Sequence, residues 1–455
     1  MSYDLMIIGG GPAGYLAAER AGHAGLKTLV FEKQFLGGVC LNEGCIPSKA
    51  LLHSAKIYDY AKTGGKYGIS FDGARLDQEA VIKRKQKVVR TLVAGVKSAL
   101  KKNNVEVVEG TAMILHRTPE GFEVSCNNTI YTGKRILIAS GSVPIMPPIE
   151  GLQAGYDKGY VMTNREILAL TKIPDRLVVV GGGIIGLEMA SYYNSAGSLV
   201  TVIEMLDRIA GPTDREISTI LQKEYEKKGI TFLLGAKVVK IGESGVVFEQ
   251  EGKTKEIPAD KVLMSIGRKP ATAGFGIENL GVMLDPKGAV VTDDRGRTNV
   301  SEVYAAGDVN GKSMLAHTAY REAEVCINHI LGKKDRMRYH TIASVIYTNP
   351  EVAHVGETEE TAREKGIDYR CANISMRYSG RYVAENEEGT GICKVLVDNK
   401  YNRIIGVSLI GNSASEIIYG ASLMIETEMT VEEIKELVFP HPTVSEVIRE
   451  ALFSM

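Results

Sequence analysis

Residues 37–49 read GGVCLNEGCIPSK, with Cys40 and Cys45 separated by four residues and Pro47 and Lys49 close behind. Two neighbouring sulfurs can bind a metal or form a redox couple. A structural zinc site needs a second cysteine pair or a following histidine pair, and neither stands near this segment. The other four cysteines, Cys126, Cys326, Cys371 and Cys393, are isolated, so they form no disulfide framework. On a regular helix, Cα atoms five residues apart lie roughly 8–9 Å from each other, given a rise of 1.5 Å and a turn of 100° per residue. That exceeds the about 7 Å reach of a disulfide. A bonded pair therefore needs a distorted backbone, which Gly44 and a helix starting near Pro47 can supply. Cys45 at a helix N-terminus has its thiolate favoured by the dipole. Lys49, four residues on, shares that face.

A second candidate stands near the C-terminus, where residues 439–446 read FPHPTVSE. Pro442 pushes His441 toward extended backbone, which presents the imidazole rather than burying it in a helix. An imidazole near neutrality can collect and return a proton. Thr443 and Glu446 fit a capping box, so on the residues alone Glu446 needs no role beyond satisfying amides of the last helix.

The elements that must hold these groups are announced by an internal repeat. Residues 4–32 run strand, glycine turn, helix, strand, with Gly9, Gly11, Gly14 and Glu32; residues 176–204 repeat the plan with Gly181, Gly183, Gly186 and Glu204. One GxGxxG is a weak signal, but two with the acid at the same offset are strong. The first glycine allows the tight turn, the second admits a pyrophosphate to the backbone, and the third lets helix and strand pack closely. The helix N-terminus favours phosphate, and the acid accepts from a ribose diol while repelling a 2′-phosphate. RILIASGSVP (135–144) and KVLMSIGRKP (261–270) match as well, each with glycine seventh (Gly141, Gly267) and proline tenth, and each reads as the last parallel strand of its unit. Two Rossmann-like dinucleotide-binding domains follow, the second inserted in the first if EVYAAGDVNG (302–311) completes the first sheet. Prolines in VPIMPPIEG (143–151) mark the way out and GRKPATAG (267–274) the way back. Beyond the charged segment 332–340, runs of strand character and helices near 414–426 and 431–438 make an α+β domain. Two nucleotide sites beside one dithiol suit a two-electron relay of nicotinamide, flavin and disulfide, because hydride donors and dithiols rarely exchange electrons directly.

Composition agrees with a small ligand. The 455 residues are too many for one core and carry 54 basic against 55 acidic side chains, which argues against nucleic acid or an anionic membrane as main partner. The basic helix 81–104 is read as a solvated amphipathic face. No stretch reaches 18 uninterrupted apolar residues, and the N-terminus lacks a secretory layout, so a cytoplasmic address is expected.

Over essentially its whole length the sequence resembles the pyridine nucleotide–disulfide oxidoreductases (class I), and GGVCLNEGCIPSK with HPTVSE resembles most their dihydrolipoamide dehydrogenase branch. The resemblance implies an FAD-binding domain over 1–146 and 271–340, an NAD-binding domain over 147–270 and a dimerisation domain over 341–455. It implies that Cys40 and Cys45 are the redox disulfide, with Cys45 facing the flavin and Cys40 exchanging with substrate. Lys49 would lie near the flavin N5 and pair with Glu188, Asp308 would hold the ribityl chain, and the loop Met314, Leu315, Ala316 and His317 would reach the pyrimidine edge. Ala112 and Val238 match adenine-contact positions, and Gly267 a turn of the nicotinamide domain. His441 resembles the acid–base that serves the partner subunit's disulfide, oriented by Glu446, which implies a homodimer. The implied reaction oxidises dihydrolipoamide on a lipoylated carrier or E2 subunit of a 2-oxoacid, acetoin or glycine system, with no lipoyl domain fused to this chain. Val39 and Pro440 depart from the family pattern, where Thr and a small residue are usual. Glutathione reductases need basic residues where Glu204 stands, and mercuric and large thioredoxin reductases need a C-terminal cysteine pair, whereas no cysteine follows Cys393. A flavin-bearing scaffold or redox sensor would leave Cys40, Cys45, Lys49, His441 and Glu446 without a purpose.

Overall fold

The computed structural model describes residues 2–386 and 389–455. The chain divides into two compact units, the first comprising Met1–Ala50, Ile82–Ile145 and Gly267–Arg338, the second Leu51–Val81, Met146–Ile266 and Tyr339–Met455.

The first unit is built on a parallel five-stranded sheet in the order Val303–Ala305, Ile136–Ile138, Leu5–Ile8, Thr28–Glu32, Glu106–Glu109. Its central strands are apolar at every position, which a sheet covered on both faces requires. The two-residue period sorts them: Met6, Ile8, Leu29, Phe31, Ile136 and Ile138 pack with an antiparallel meander, Met113–Thr118, Gly121–Cys126 and Thr129–Gly133. Leu5, Ile7, Val30 and Leu137 instead pack beneath helix α1 (Pro12–His23) and the helix Ala316–Ile330. Val303–Ala305 pairs with Ile136–Ile138, so the strand before Gly307 completes the first sheet and the second repeat is an insertion. The outgoing and returning crossings also zip together, Ser142–Pro144 lying antiparallel to Arg268–Pro270. Helix α2 (Gly38–Glu43) and helix α3 (Cys45–Thr63) carry the two cysteines, and helix α4 (Gln78–Lys102) is the long basic one. The expectation of a solvated basic face on α4 is wrong at one place, while the exposed Arg84 agrees with it. Lys85 is 7% exposed, and burial lowers its pKa. Arg84 donates to the Ala50 carbonyl at 3.1 Å.

The second unit holds the repeat and the C-terminal domain. Its parallel sheet runs Val161–Met162, Lys261–Met264, Arg176–Val180, Leu199–Ile203, Thr231–Leu233, the last four in the arrangement of the first unit and the outer strand supplied from before the repeat rather than after it, with a matching meander over 236–258. The C-terminal sheet is antiparallel, ordered Ser344–Ile346, Val352–Gly356, Ile404–Ile410, Ile392–Asp398, Tyr369–Ser375. Four of these strands were legible as apolar runs. The edge strand YRCANIS was not, because Arg370 and Asn373 break its pattern. Helices Ala414–Glu426 and Glu446–Phe453 cover this sheet. Lys394, 3% exposed, ties the sheet to Asp214 (2.9 Å) and Glu359 (2.8 Å). Burial pulls its ammonium pKa down, but those bonds outweigh burial and the net shift is upward. Asp214 in turn caps the helix Arg215–Lys227 of the inserted repeat. Among the described residues no helix is long and apolar enough to cross a membrane.

Candidate active site

Cys40 and Cys45 form a disulfide with their Cα atoms 4.7 Å apart. The distortion sits at Gly44, where α2 ends with φ −149° and ψ −107° before α3 begins. The second helix starts at Cys45 itself rather than near Pro47, so Cys45 occupies the first helical position. Ser48 closes the turn by donating both its amide and its hydroxyl to the Gly44 carbonyl, at 3.0 and 2.6 Å. Asn42 donates to the carbonyls of Leu36 and Gly38, at 3.0 and 2.9 Å, which pins the loop from inside. The loop rests on the first glycine turn: Gly37 donates to the Gly10 carbonyl, and a Cβ on Gly38 would stand 2.6 Å from the Cα of Gly11.

The two glycine turns are copies of each other in geometry. Gly9 and Gly181 take φ of 106° and 103°, open to glycine alone without strain. Gly11 and Gly183 are the helix N-caps, at φ −74°, ψ −171° and φ −79°, ψ −178°. Neither cap has a side chain, so among the described residues no cap side chain takes up the first-turn amides, as a phosphate cradle needs. A Cβ on Gly14 or Gly186 would collide with the carbonyl oxygen of Gly9 or Gly181, so the third glycine is a packing demand. The closing acids are fixed in advance. Glu32 Oε2 accepts from the Gly10 amide (2.7 Å) and Oε1 from Gln34 (2.7 Å); Glu204 Oε2 accepts from Gly182 (2.6 Å) and Oε1 from Leu206 (2.8 Å). These features fit two dinucleotides, each with its carboxylate preset for a ribose.

The remaining positions divide between the units. Lys49 lies on α3 one turn beyond Cys45. Asp308 opens a short 3₁₀ turn after Gly307, whose φ is 82°. Met314 and Leu315 precede the helix Ala316–Ile330, so Ala316 and His317 are its first turn rather than loop. The side chains of Ala112 and Val238 are buried in the cores of their meanders, leaving backbone as what they can offer a nucleotide. Gly141 and Gly267 have φ of 75° and 121° at the two crossings. Glu188, 3% exposed on the helix Ile184–Ala196, accepts from the Tyr347 amide at 3.1 Å.

In the second unit His441 is open to solvent, its side chain 76% exposed. Its Nδ1 lies 2.9 Å from Glu446 Oε1, and the Thr443 amide donates to Glu446 Oε2 at 2.8 Å. The Thr443 amide, and then His441, hold this carboxyl below the usual carboxylate range. An ionised carboxylate only accepts, so Nδ1 carries the proton and Nε2 is left as a base. The capping box is half formed: the Thr443 hydroxyl donates to the Pro440 carbonyl, and the N-cap is Ser445. Glu446 thus serves both the turn and the imidazole. Sequence reasoning missed Asn42, and it used Ser142 and Arg268 only as letters between a matched glycine and proline.

Comparison with known proteins accounts for nearly the whole chain. Residues 3–323 match the family model described as pyridine nucleotide-disulphide oxidoreductase, and residues 342–452 match that family's dimerisation domain. The dihydrolipoyl dehydrogenase of Mycoplasma genitalium is 39% identical over 99% of this chain and 98% of its own length. The mitochondrial dihydrolipoyl dehydrogenase of Pisum sativum is 39% identical over 98% of this chain and 90% of its own. Among solved structures, LpdA from Mycobacterium tuberculosis superimposes with a TM-score of 0.89 at 25% identity, covering 99% of both chains. A disulfide packed on one of two matched dinucleotide cradles, with these full-length likenesses, makes the chain a member of the pyridine nucleotide-disulphide oxidoreductase family.

Proposed function

We propose that the protein oxidises dihydrolipoamide carried on a partner protein and passes the electron pair to NAD. FAD and NAD are its cofactors, and it is a flavoprotein disulfide oxidoreductase with a dimerisation domain. The observation that carries the proposal is the Cys40–Cys45 disulfide resting on the first glycine turn. The names of the 39%-identical relatives support the substrate.

In this reading Gly9, Gly11, Gly14 and Glu32 hold FAD, with Lys49, Ala112, Gly141, Asp308 and Met314–His317 at its other parts. Gly181, Gly183, Gly186, Glu204, Val238 and Gly267 hold NAD, and Lys49 pairs with Glu188. His441 Nε2 takes the proton of one substrate thiol, and the thiolate attacks Cys40 Sγ. The Cys40–Cys45 bond breaks, and Cys45 leaves as a thiolate favoured by the N-terminus of α3. The second substrate thiol attacks the mixed disulfide at the lipoyl sulfur, its proton passing to the departing Cys40, which leaves as a thiol as the lipoamide ring closes, while His441 keeps the first proton. Glu446 keeps His441 in the tautomer that can accept and return the proton. FAD, when bound, would supply the two-electron chemistry that links the reduced cysteine pair to NAD. The preset Glu204 carboxylate favours a ribose diol over a 2′-phosphate. A lipoylated E2 or carrier protein supplies the substrate, in the cytoplasm, where dithiols stay reduced.

The test is steady-state turnover of dihydrolipoamide with NAD or NADP, and of glutathione disulfide with NADPH. We expect NAD-dependent oxidation of dihydrolipoamide and a loss of about a hundredfold or more in kcat for His441→Gln. NADP preference, or faster turnover of glutathione disulfide, would overturn the assignment.

A further inference from the structure

The turn that carries Asp308 is held by two separate devices within the first unit. Its backbone is fixed by Glu322, a side chain 2% exposed on the helix Ala316–Ile330, whose carboxylate accepts from the Gly307 amide (2.6 Å) and the Asn310 side-chain amide (2.9 Å). The Asp308 carboxylate is held by something else. Ser142, 6% exposed, donates its hydroxyl to Asp308 Oδ2 at 2.5 Å. Arg268 reaches the same serine twice, with Nε on Ser142 Oγ at 2.8 Å and an Nη2–H on the Ser142 carbonyl at 2.7 Å.

The order of protons in this chain is forced. A guanidinium only donates and a carboxylate only accepts, so the Arg268 N–H must point at the serine oxygen and the serine O–H at the carboxylate. Each link is charge-assisted, and the two polarise each other through the shared hydroxyl. Among the described residues Ser142 is the only hydrogen-bond partner of the Asp308 carboxylate. Ser142 and Arg268 stand on the two paired crossing strands, Ser142–Pro144 and Arg268–Pro270. We propose that Arg268 and Ser142 are positioning residues that aim the Asp308 carboxylate at the flavin's sugar-like chain, so that flavin affinity depends on a relay rooted in the crossing ladder. The proposal rests on the reading of Asp308 as a flavin contact.

The relay is tested by equilibrium binding of FAD to the apoproteins, followed by quenching of flavin fluorescence and by the visible flavin band, for Ser142→Ala, Asp308→Ala and the double variant. Ser142→Ala keeps the Arg268 bond to the backbone carbonyl and the strand ladder, so the apoprotein's thermal unfolding should be close to that of the parent. Its FAD affinity should fall by roughly tenfold, as for loss of a charged hydrogen bond. Asp308→Ala should weaken FAD at least as much, and adding Ser142→Ala to it should change nothing further, because the serine acts only through the aspartate. If Ser142→Ala weakens FAD equally in both backgrounds, or leaves it unchanged while Asp308→Ala weakens it, the relay is wrong and the Asp308 contact stands. If Asp308→Ala itself leaves FAD affinity untouched, both fall.

Discussion

His441 and Glu446 show how much chemistry one hydrogen bond settles. The carboxylate accepts from the Thr443 amide and from the imidazole, so it is held ionised below the ordinary carboxyl range, the amide contributing first. A carboxyl with a depressed folded pKa adds stability that is complete above its unfolded value and is lost as pH falls through the folded value. The Thr443 amide resonance should therefore titrate with a midpoint below that of a free glutamate, about 4.3. Glu446→Gln should abolish that titration and lower turnover by about tenfold or more, since a neutral amide cannot stabilise the imidazolium. A Thr443 midpoint at or above the free value would show that the carboxylate is not engaged as described.

The short helix α2 and the start of α3 depend on glycine in three different ways. Gly44 breaks the helix so that the sulfurs meet, Gly37 turns the chain into α2 at φ 93°, and Gly38 brings α2 down onto Gly11 at φ 57°. Gly38→Ala meets two penalties, a left-handed backbone that disfavours a Cβ by about 1–2 kcal/mol and a Cβ placed 2.6 Å from the Gly11 Cα. The variant should unfold at lower temperature and release FAD on gel filtration, because the first cradle and the redox loop share that contact. A parent-like melting temperature with full flavin retention would mean that α2 moves freely on the turn. The same loop shows what was legible beforehand: the need for a distortion, with Gly44 able to supply it, follows from helix geometry, whereas the bond from Asn42 back to the Leu36 carbonyl, six residues earlier, follows no helical spacing.

The chain carries the dimerisation domain of its family, and in the proposed mechanism His441 would serve the disulfide of the partner subunit. Two-fold symmetry makes this testable, because each of the two sites would then draw its cysteines from one protomer and its histidine from the other. Heterodimers of a Cys45→Ser protomer and a His441→Gln protomer should regain roughly half of parental turnover, one site being whole, although each parent homodimer is nearly inactive. No recovery in purified heterodimers would place His441 and the disulfide it serves in the same protomer.

The sequence by itself determined the two dinucleotide cradles and set the neighbouring Cys40 and Cys45 as the chemistry to explain, whereas the insertion of one repeat in the other hung on residues 302–311 until Val303–Ala305 was seen to pair with Ile136–Ile138. Cradles and cysteines are matters of local spacing, in which glycine permits a turn, a carboxylate ends a strand, and a helix rise sets a distance. Only the tertiary structure decided that the Asp308 carboxylate bonds to Ser142, 166 residues earlier in the chain, and that Arg268 bonds to the same serine. It also decided that Lys85 is buried and that Lys394 joins Asp214 beneath the C-terminal sheet. Such contacts join residues far apart in the chain, and their energy depends on desolvation and on donor geometry. Neither leaves a periodic trace in the order of residues.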